Sequence, residues 1–247
     1  MMKQKKQIKS HKTFLQSWLI IYLLIAYAVY LFFRDHPLAE TLFDGLQIIA
    51  SLGAGILIMR KGLAKSPFNY IVYTGYACLL WSLGQLFWFA YVVVGREGLP
   101  YPSVAEMAFW GAYFFLMTAI KIKSDAHQQN RFYMSALVSA AMVVITIAAV
   151  LYTGTLNTFE SVYTILFMSV AAWTLFMALN LSGLPLWLRG SVSLLCFADL
   201  LLVLQLMLGT DPTLFLSDPL FPLPFVLLLF GVMNNRSENS SVIREGS

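Results

Sequence analysis

Long apolar runs dominate this chain, interrupted only by short polar clusters. Crossing the hydrocarbon core of a bilayer as a helix takes about 20 apolar residues. Eight runs approach or exceed that length, at about 14–33, 40–59, 68–94, 103–121, 132–152, 160–181, 186–208 and 214–233. Gly183 and Pro185 separate the sixth from the seventh, and Gly209, Thr210, Asp211 and Pro212 separate the seventh from the eighth. A transmembrane β-barrel would instead alternate polar and apolar positions over segments of roughly 10 residues, and the runs here are continuous. The pattern predicts an all-α membrane protein, a bundle of eight transmembrane helices.

Composition narrows the function classes. Of 247 residues, 59% are hydrophobic and 11% charged, where a soluble domain carries roughly 25% charged residues. With a mean hydropathy of +0.73, there are too few charges to cover a water-facing surface. A soluble enzyme, a disordered regulator and a coiled coil are excluded, and two cysteines exclude a disulfide scaffold.

Charge placement predicts topology, because cytoplasmic segments retain Lys and Arg. Lys3, Lys5, Lys6, Lys9 and Lys12 fall in the N-terminal tail. Arg60, Lys61 and Lys65, then Lys121, Lys123 and Arg131, then Arg189, follow in alternate connections, and Arg236 and Arg244 lie in the C-terminal tail. Those are fourteen cations on one side against Arg34 and Arg96 on the other. The expectation is a bacterial-type cytoplasmic membrane protein with both termini inside. Residues 1–13 would form a basic tail, 14–233 the transmembrane domain, and 234–247 a disordered tail rich in Ser, Asn and charge. The sequence pI near 9.0 is then a topology signal, and no nucleic-acid partner is expected. The first run ends its signal-like stretch at Ala26-Tyr27-Ala28 but continues apolar through Tyr30, Leu31, Phe32 and Phe33. That is longer than a cleavable leader's core of roughly 7–15 residues, so it is expected to stay as a span.

An internal repeat is also visible. At a constant shift of 114 residues, the window 81–103 aligns with 195–217, matching Gly95 to Gly209, Ser103 to Ser217 and Gln85 to Asp199. Two four-helix halves, about 14–121 and 132–233, would then insert in the same orientation, as in parallel-repeat membrane folds. Small residues that let helices approach closely occur at Ala50/Ala54 and Ser51/Gly55, and at Ser135/Ser139 and Ala136/Ala140.

Catalytic signatures are missing. There is no H-E-x-x-H, no phosphate-binding loop, no G-x-S-x-G and no Cys-x-x-Cys. His11, His36 and His127 fall in tails or loops. No enzyme, cofactor or metal is expected. Cys78 and Cys196 lie inside spans as small apolar packing groups. Polar chemistry gathers instead toward the non-basic side. Trp81, Gln85 and Trp88 recur at i, i+4 and i+7, with Thr74 and Cys78 extending the same helical face. Two indoles and an amide suit a ligand pocket; equally, the indoles pack and the amide bonds a neighbouring helix. Asp199 lies about thirteen residues into the seventh run, where a charged carboxylate costs roughly 2.5–3.5 kcal/mol. It should face the bundle interior, for proton coupling, ligand contact or a helix-to-helix bond. Pro100 and Pro102 suppress helix before Ser103, and Ser103 with Glu106 reads as a capping box. Thr41 and Asp44 repeat a similar arrangement at the second run. Together, Trp81, Gln85, Trp88 and Asp199 would face one another, with Tyr101, Ser103 and Glu106 closing the end.

Trp81, Leu83, Gly84 and Trp88, followed by P-Y-P-S-V-A-E at 100–106 and later by F-A-D-L-L at 197–201, carry a resemblance. Over roughly 70–233 the chain is similar to the multi-span N-terminal sensory region of bacterial membrane diguanylate cyclases and related signalling proteins. Where that region commonly has P-S-x-A-D, this chain has Glu106 in place of the aspartate. The resemblance implies an integral sensor or signalling component that recognises a small ligand or membrane state. The 14-residue tail holds no output domain, so it would act on a separate signalling partner. A small parallel-repeat transporter and a membrane scaffold or assembly factor are the alternatives. The transporter reading draws on the prolines before the fourth and eighth runs, Pro100 and Pro102, then Pro219, Pro222 and Pro224.

Overall fold

The structure, a computed structural model, describes residues 22, 24–33, 36–95, 103–124, 129–153, 158–207 and 216–234. Among them are eight α-helices, one π-helical stretch and no strand. The helices are α1 (Leu24–Phe33), α2 (Pro37–Leu63), α3 (Tyr70–Trp88), α4 (Val104–Lys123), α5 (Gln129–Thr153), α6 (Thr158–Asn180), α7 (Leu186–Met207) and α8 (Pro222–Asn234). Tyr101, the N-terminal tail and the C-terminal tail beyond Asn234 lie outside the described residues.

Local chemistry sets the helix limits. α2 begins earlier than the sequence suggests: His36 Nδ1 accepts the Leu38 N–H at 3.2 Å, and Pro37, which has no N–H to satisfy, opens the helix. Thr41 and Asp44 therefore sit inside α2 rather than at its cap. Asn69 caps α3 by accepting the Val72 N–H at 3.0 Å. The third apolar run is not one α-helix, because Phe89–Val94 winds as a π-helix and Gly95 N–H closes on the Ala90 carbonyl at 2.9 Å.

Three helices combine the length and apolar character of a membrane span: Thr41–Leu63, Ser161–Asn180 and Leu186–Gln205. The remaining apolar segments among the described residues are shorter, as in Leu24–Phe33, Tyr133–Ala148 and Pro222–Asn234. Tyr, Trp, Gly and Gln dilute the hydropathy of α3, and Trp, Tyr, Gly and Lys that of α4. Every helix nevertheless turns large apolar side chains outward, among them Phe32, Ile49, Leu86, Phe114, Leu137, Leu166, Leu204 and Val226. An apolar exterior of that extent marks a surface made for lipid or protein rather than water.

Six helices close a ring in the order α2, α3, α4, α6, α7, α8 and back to α2, with α5 packed outside against α6. Exchanging α2, α3 and α4 for α6, α7 and α8 maps these neighbour relations onto themselves. Glycines set the spacing. A Cβ on Gly62 would lie 2.7 Å from Val72, on Gly55 2.7 Å from Leu79, and on Gly75 3.0 Å from the Met59 backbone. These contacts fix α2 and α3 as antiparallel neighbours. Ser51 and Ala54 lie buried beside Gly55, as the small-residue pattern predicts. Of the small residues singled out on α5, Ser135 and Ser139 are buried, and Ser139 donates to the Ser169 carbonyl of α6 at 2.8 Å; Ala136 is half-buried and Ala140 exposed.

Among the described residues, the basic side chains gather at one end of the ring. Lys123 Nζ lies 4.9 Å from the Tyr70 ring, Tyr70 stacks on Trp187, and Trp187 presses on Gly231. Lys61 donates to the carbonyls of Val232 and Met233, and Arg189 donates to the Leu181 carbonyl at 2.7 Å. Asp44, Glu106 and Asp218 lie toward the opposite, acidic end.

Candidate functional site

The interior of the ring is filled by aromatic side chains around Trp81. Its indole lies 4.9 Å from Phe109, 6.1 Å from Tyr113, 6.0 Å from Phe221 and 5.9 Å from Phe225. α3 presents this face because Thr74, Cys78, Trp81 and Gln85 fall on one helical stripe, and all four are buried. Trp88, one turn further, is half-buried and packs on the same cluster. The cavity between α3, α4, α7 and α8, lined by Cys78, Trp81, Leu116, Val192, Leu195 and Phe225 among others, measures about 10 Å³. That is the space of a single water, far below the roughly 300 Å³ at which drug-sized pockets begin.

Asp199 is 2% exposed and points into this interior. Tyr113 of α4 donates its hydroxyl to Asp199 Oδ2. Cys196, one turn before Asp199, donates its thiol to the Ala171 carbonyl of α6 at 3.4 Å and lies 3.7 Å from the Tyr113 oxygen. Phe167 of α6 meets the Tyr113 ring edge-on at 5.5 Å. The bond thus crosses the ring from the first half of the chain to the second. Among the described residues no Lys or Arg is buried, so the partner of this carboxyl is a hydroxyl rather than a cation.

Gln85 occupies a different level. α3 and α4 meet with Gly84 against Phe109 and Leu80 against Gly111, and one turn further along this antiparallel register Gln85 is level with Glu106. Extending the α2–α3 register past Ser82, which lies 3.5 Å from the Ile48 carbonyl, puts Gln47 at the same height. Ser217 lies one turn before Phe221, which contacts Trp81. Gln47, Gln85, Glu106 and Ser217 are each buried and form a polar layer near the acidic end. Tyr113 is seven residues along α4 from Glu106, so Asp199 lies about 10 Å deeper. Trp81 separates the two levels. The 114-residue shift aligns Gln85 with Asp199 in sequence, but the packing registers set them at different depths.

The capping box forms as the sequence predicts. Ser103 N–H donates to Glu106 Oε2 at 2.6 Å, the Ser103 hydroxyl donates to the same oxygen, and the Ala105 N–H donates back to Ser103 Oγ at 3.2 Å. Four buried atoms of the polar layer and its floor have no hydrogen-bond partner among the described residues: Gln47 Nε2, Gln85 Oε1, Ser217 Oγ and Trp81 Nε1. Sequence reasoning missed Tyr113 and Gln47. Tyr113 stands among the aromatics of a run reading FWGAYFF, and its one distinguishing mark is the i, i+7 relation to Glu106. No cluster of three or more His, Cys, Asp or Glu suited to a metal occurs among the described residues. Compared with known proteins, the chain matches no family model, no curated protein and no solved structure.

Proposed function

We propose that this chain is an eight-span membrane sensor or signalling component, built from two parallel four-helix halves with both termini on the basic, cytoplasmic side. A stimulus at the acidic end moves Trp81, and the Tyr113–Asp199 bond carries that movement between the halves to the basic end, where a partner protein reads it. One observation carries this reading: two polar levels are joined by a continuous contact chain, Trp81 to Tyr113 to Asp199, beside a cavity that holds about one water. Such a chain is suited to transmitting displacement from one level to the other. The outward apolar side chains on every helix and the gathering of cations at one end support the topology.

Spin labels attached at Ser66 and Ser182, both in turns at the basic end, test the coupling. Trp81→Ala should change their distance distribution in nanodiscs, and an unchanged distribution would refute transmission. A transporter is the second reading, favoured by the self-mapping neighbour relations of the ring. Proteoliposomes holding a trapped pH dye decide between them. Proton flux under an imposed potential, abolished by Asp199→Asn, would replace the sensor with a transporter.

A further inference from the structure

The polar layer at the acidic end leaves several buried polar atoms without a hydrogen-bond partner among the described residues. Burying a polar group without a hydrogen bond costs about 1–3 kcal/mol, and membrane proteins concentrate such groups where they serve a function. Here three share one level by helix register, and a fourth, on Trp81, lies a turn below. Gln85 Oε1 is an acceptor, Gln47 Nε2 and Trp81 Nε1 are donors, and Ser217 Oγ is both; none has a partner among the described residues. Gln47 is 2% exposed, Gln85 8% and Ser217 0%. Gln85 stands one turn above Trp81 on the inward stripe of α3, and Gln47 continues the buried stripe Ser51, Ala54, Ile58 of α2. Both therefore aim into the ring.

Among the described residues, the charged side chains at this layer are all acidic. Glu106 is buried and its cap engages Oε2 alone. Asp44, one turn before Gln47, is buried as well, and among the described residues no Lys or Arg is. A ligand for this layer should bring positive charge. A bare metal ion would satisfy Gln85, Ser217 and the carboxylates but leave the Gln47 and Trp81 N–H groups unanswered. An organic ammonium that also carries a hydroxyl or carbonyl oxygen answers both sets, and an indole beneath a cation adds about 0.5–2 kcal/mol.

We infer that the layer formed by Gln47, Gln85, Glu106 and Ser217 above Trp81 binds a small primary amine bearing a neutral oxygen acceptor. The ammonium lies toward Glu106 and donates to Gln85 Oε1, while the oxygen of the ligand accepts from the N–H groups of Gln47 and Trp81. This deepens the sensor reading by naming the stimulus and rests on it for its consequence, although binding is measurable on its own. The same ammonium chemistry reaches the site from a dissolved amino alcohol or from the ethanolamine headgroup of a lipid.

The test uses the full chain in phosphatidylglycerol nanodiscs, a background free of amines, titrated with 2-aminoethanol and, in parallel, ethylene glycol. The proposal expects a melting temperature that rises and saturates with 2-aminoethanol and does not respond to ethylene glycol. Glu106→Gln keeps the capping box, since glutamine serves there too, and should weaken binding at least tenfold at unchanged stability without ligand. Gln85→Leu should also weaken binding tenfold or more while leaving the ligand-free protein as stable or more so, because it removes a buried carbonyl oxygen without a partner among the described residues; a merely structural glutamine would do the reverse. If dissolved amine fails but the protein retains phosphatidylethanolamine in native mass spectra, and Glu106→Gln releases it, the site stands with lipid as its source. No response to either, or equal response to ethylene glycol, overturns the proposal. The spin-label experiment is independent of this outcome, so failure of the ammonium site and failure of the sensor reading are told apart.

Discussion

Replacing Tyr113 with phenylalanine removes one oxygen from a ring whose edge-on contacts to Trp81 and Phe167 the phenyl group can keep. What changes is the carboxyl of Asp199, which loses the donor it has from α4. Hydrogen bonds between helices in bilayers average about 0.6 kcal/mol and reach about 1.7. A buried acceptor stranded by loss of its partner costs about 1–3 kcal/mol. Asp199 is almost fully buried and no buried Lys or Arg is described near it, so the upper range applies and Tyr113→Phe should cost about 1.5–2 kcal/mol. Asp199→Val strands the tyrosine hydroxyl instead and should cost about 1 kcal/mol. The double variant leaves neither group stranded, so the two losses should fall short of adding by at least about 1 kcal/mol. Reversible unfolding in bicelles, followed for the four proteins of this cycle, supplies the measurement. Additivity within about 0.5 kcal/mol would mean that the two side chains do not meet, and the contact chain between the halves would be lost with them.

Glycine substitutions separate tight from open helix faces. A Cβ on Gly231 would lie 2.1 Å from Trp187 Cγ, where ordinary contact begins at 3.4 Å, so Gly231→Ala should destabilise by about 1–3 kcal/mol. Gly53 and Gly190 have nothing within 4 Å, and alanine there should stabilise by up to about 1 kcal/mol; the same unfolding assay reads all three. Ser103→Ala removes the α4 cap and should cost about 1 kcal/mol, whereas Glu106→Gln should leave the ligand-free melting temperature within error. Lys61→Met should cost about 0.3–1 kcal/mol through loss of a cation at the C-terminus of α8, with hydrogen exchange rising in the last turn of that helix.

Much of the architecture was legible because lipid permits few solutions. Continuous apolar runs in a chain with so few charges leave helices as the economical answer, and the S-x-x-E spacing marked the start of α4 from the chemistry of its orphan N–H groups. Helix limits were less legible where the deciding group was small or unexpected, as with His36 and Pro37 at α2, Asn69 at α3, and the π-helical turn at Phe89–Val94. Eight runs read as spans by length, but among the described residues only α2, α6 and α7 carry span-grade hydropathy, because α3 and α4 trade apolar residues for tryptophans, tyrosines and glycines. In the candidate site, Trp81, Gln85 and Asp199 stood out by type and periodicity. Their relative depth did not, because it depends on which glycine meets which side chain on the next helix. Tyr113 and Gln47 were hidden for the same reason: a tyrosine among aromatics, or one glutamine on a long helix, becomes informative only when a neighbouring helix is placed against it.

The self-mapping order of the ring has a consequence for how the protein is made. Within each half the ring helices are consecutive in the chain, and the seams between halves are α2 against α8 and α4 against α6. Synthesis delivers the N-terminal half first, so α2, α3 and α4 can pair through their glycine contacts while the seam faces of α2 and α4 still lack their partners. Tyr113 and Lys61 are then already in position before their partners exist. On the eight-span reading, α7 then brings a carboxyl that would be costly in hydrocarbon to the side of a hydroxyl made before it, and α8 brings its last carbonyls to Lys61. The order of the genetic message thereby places each receptive group ahead of the group that needs it, and the connection between α4 and α5 becomes the natural place to divide the chain into two co-expressed pieces that reassemble.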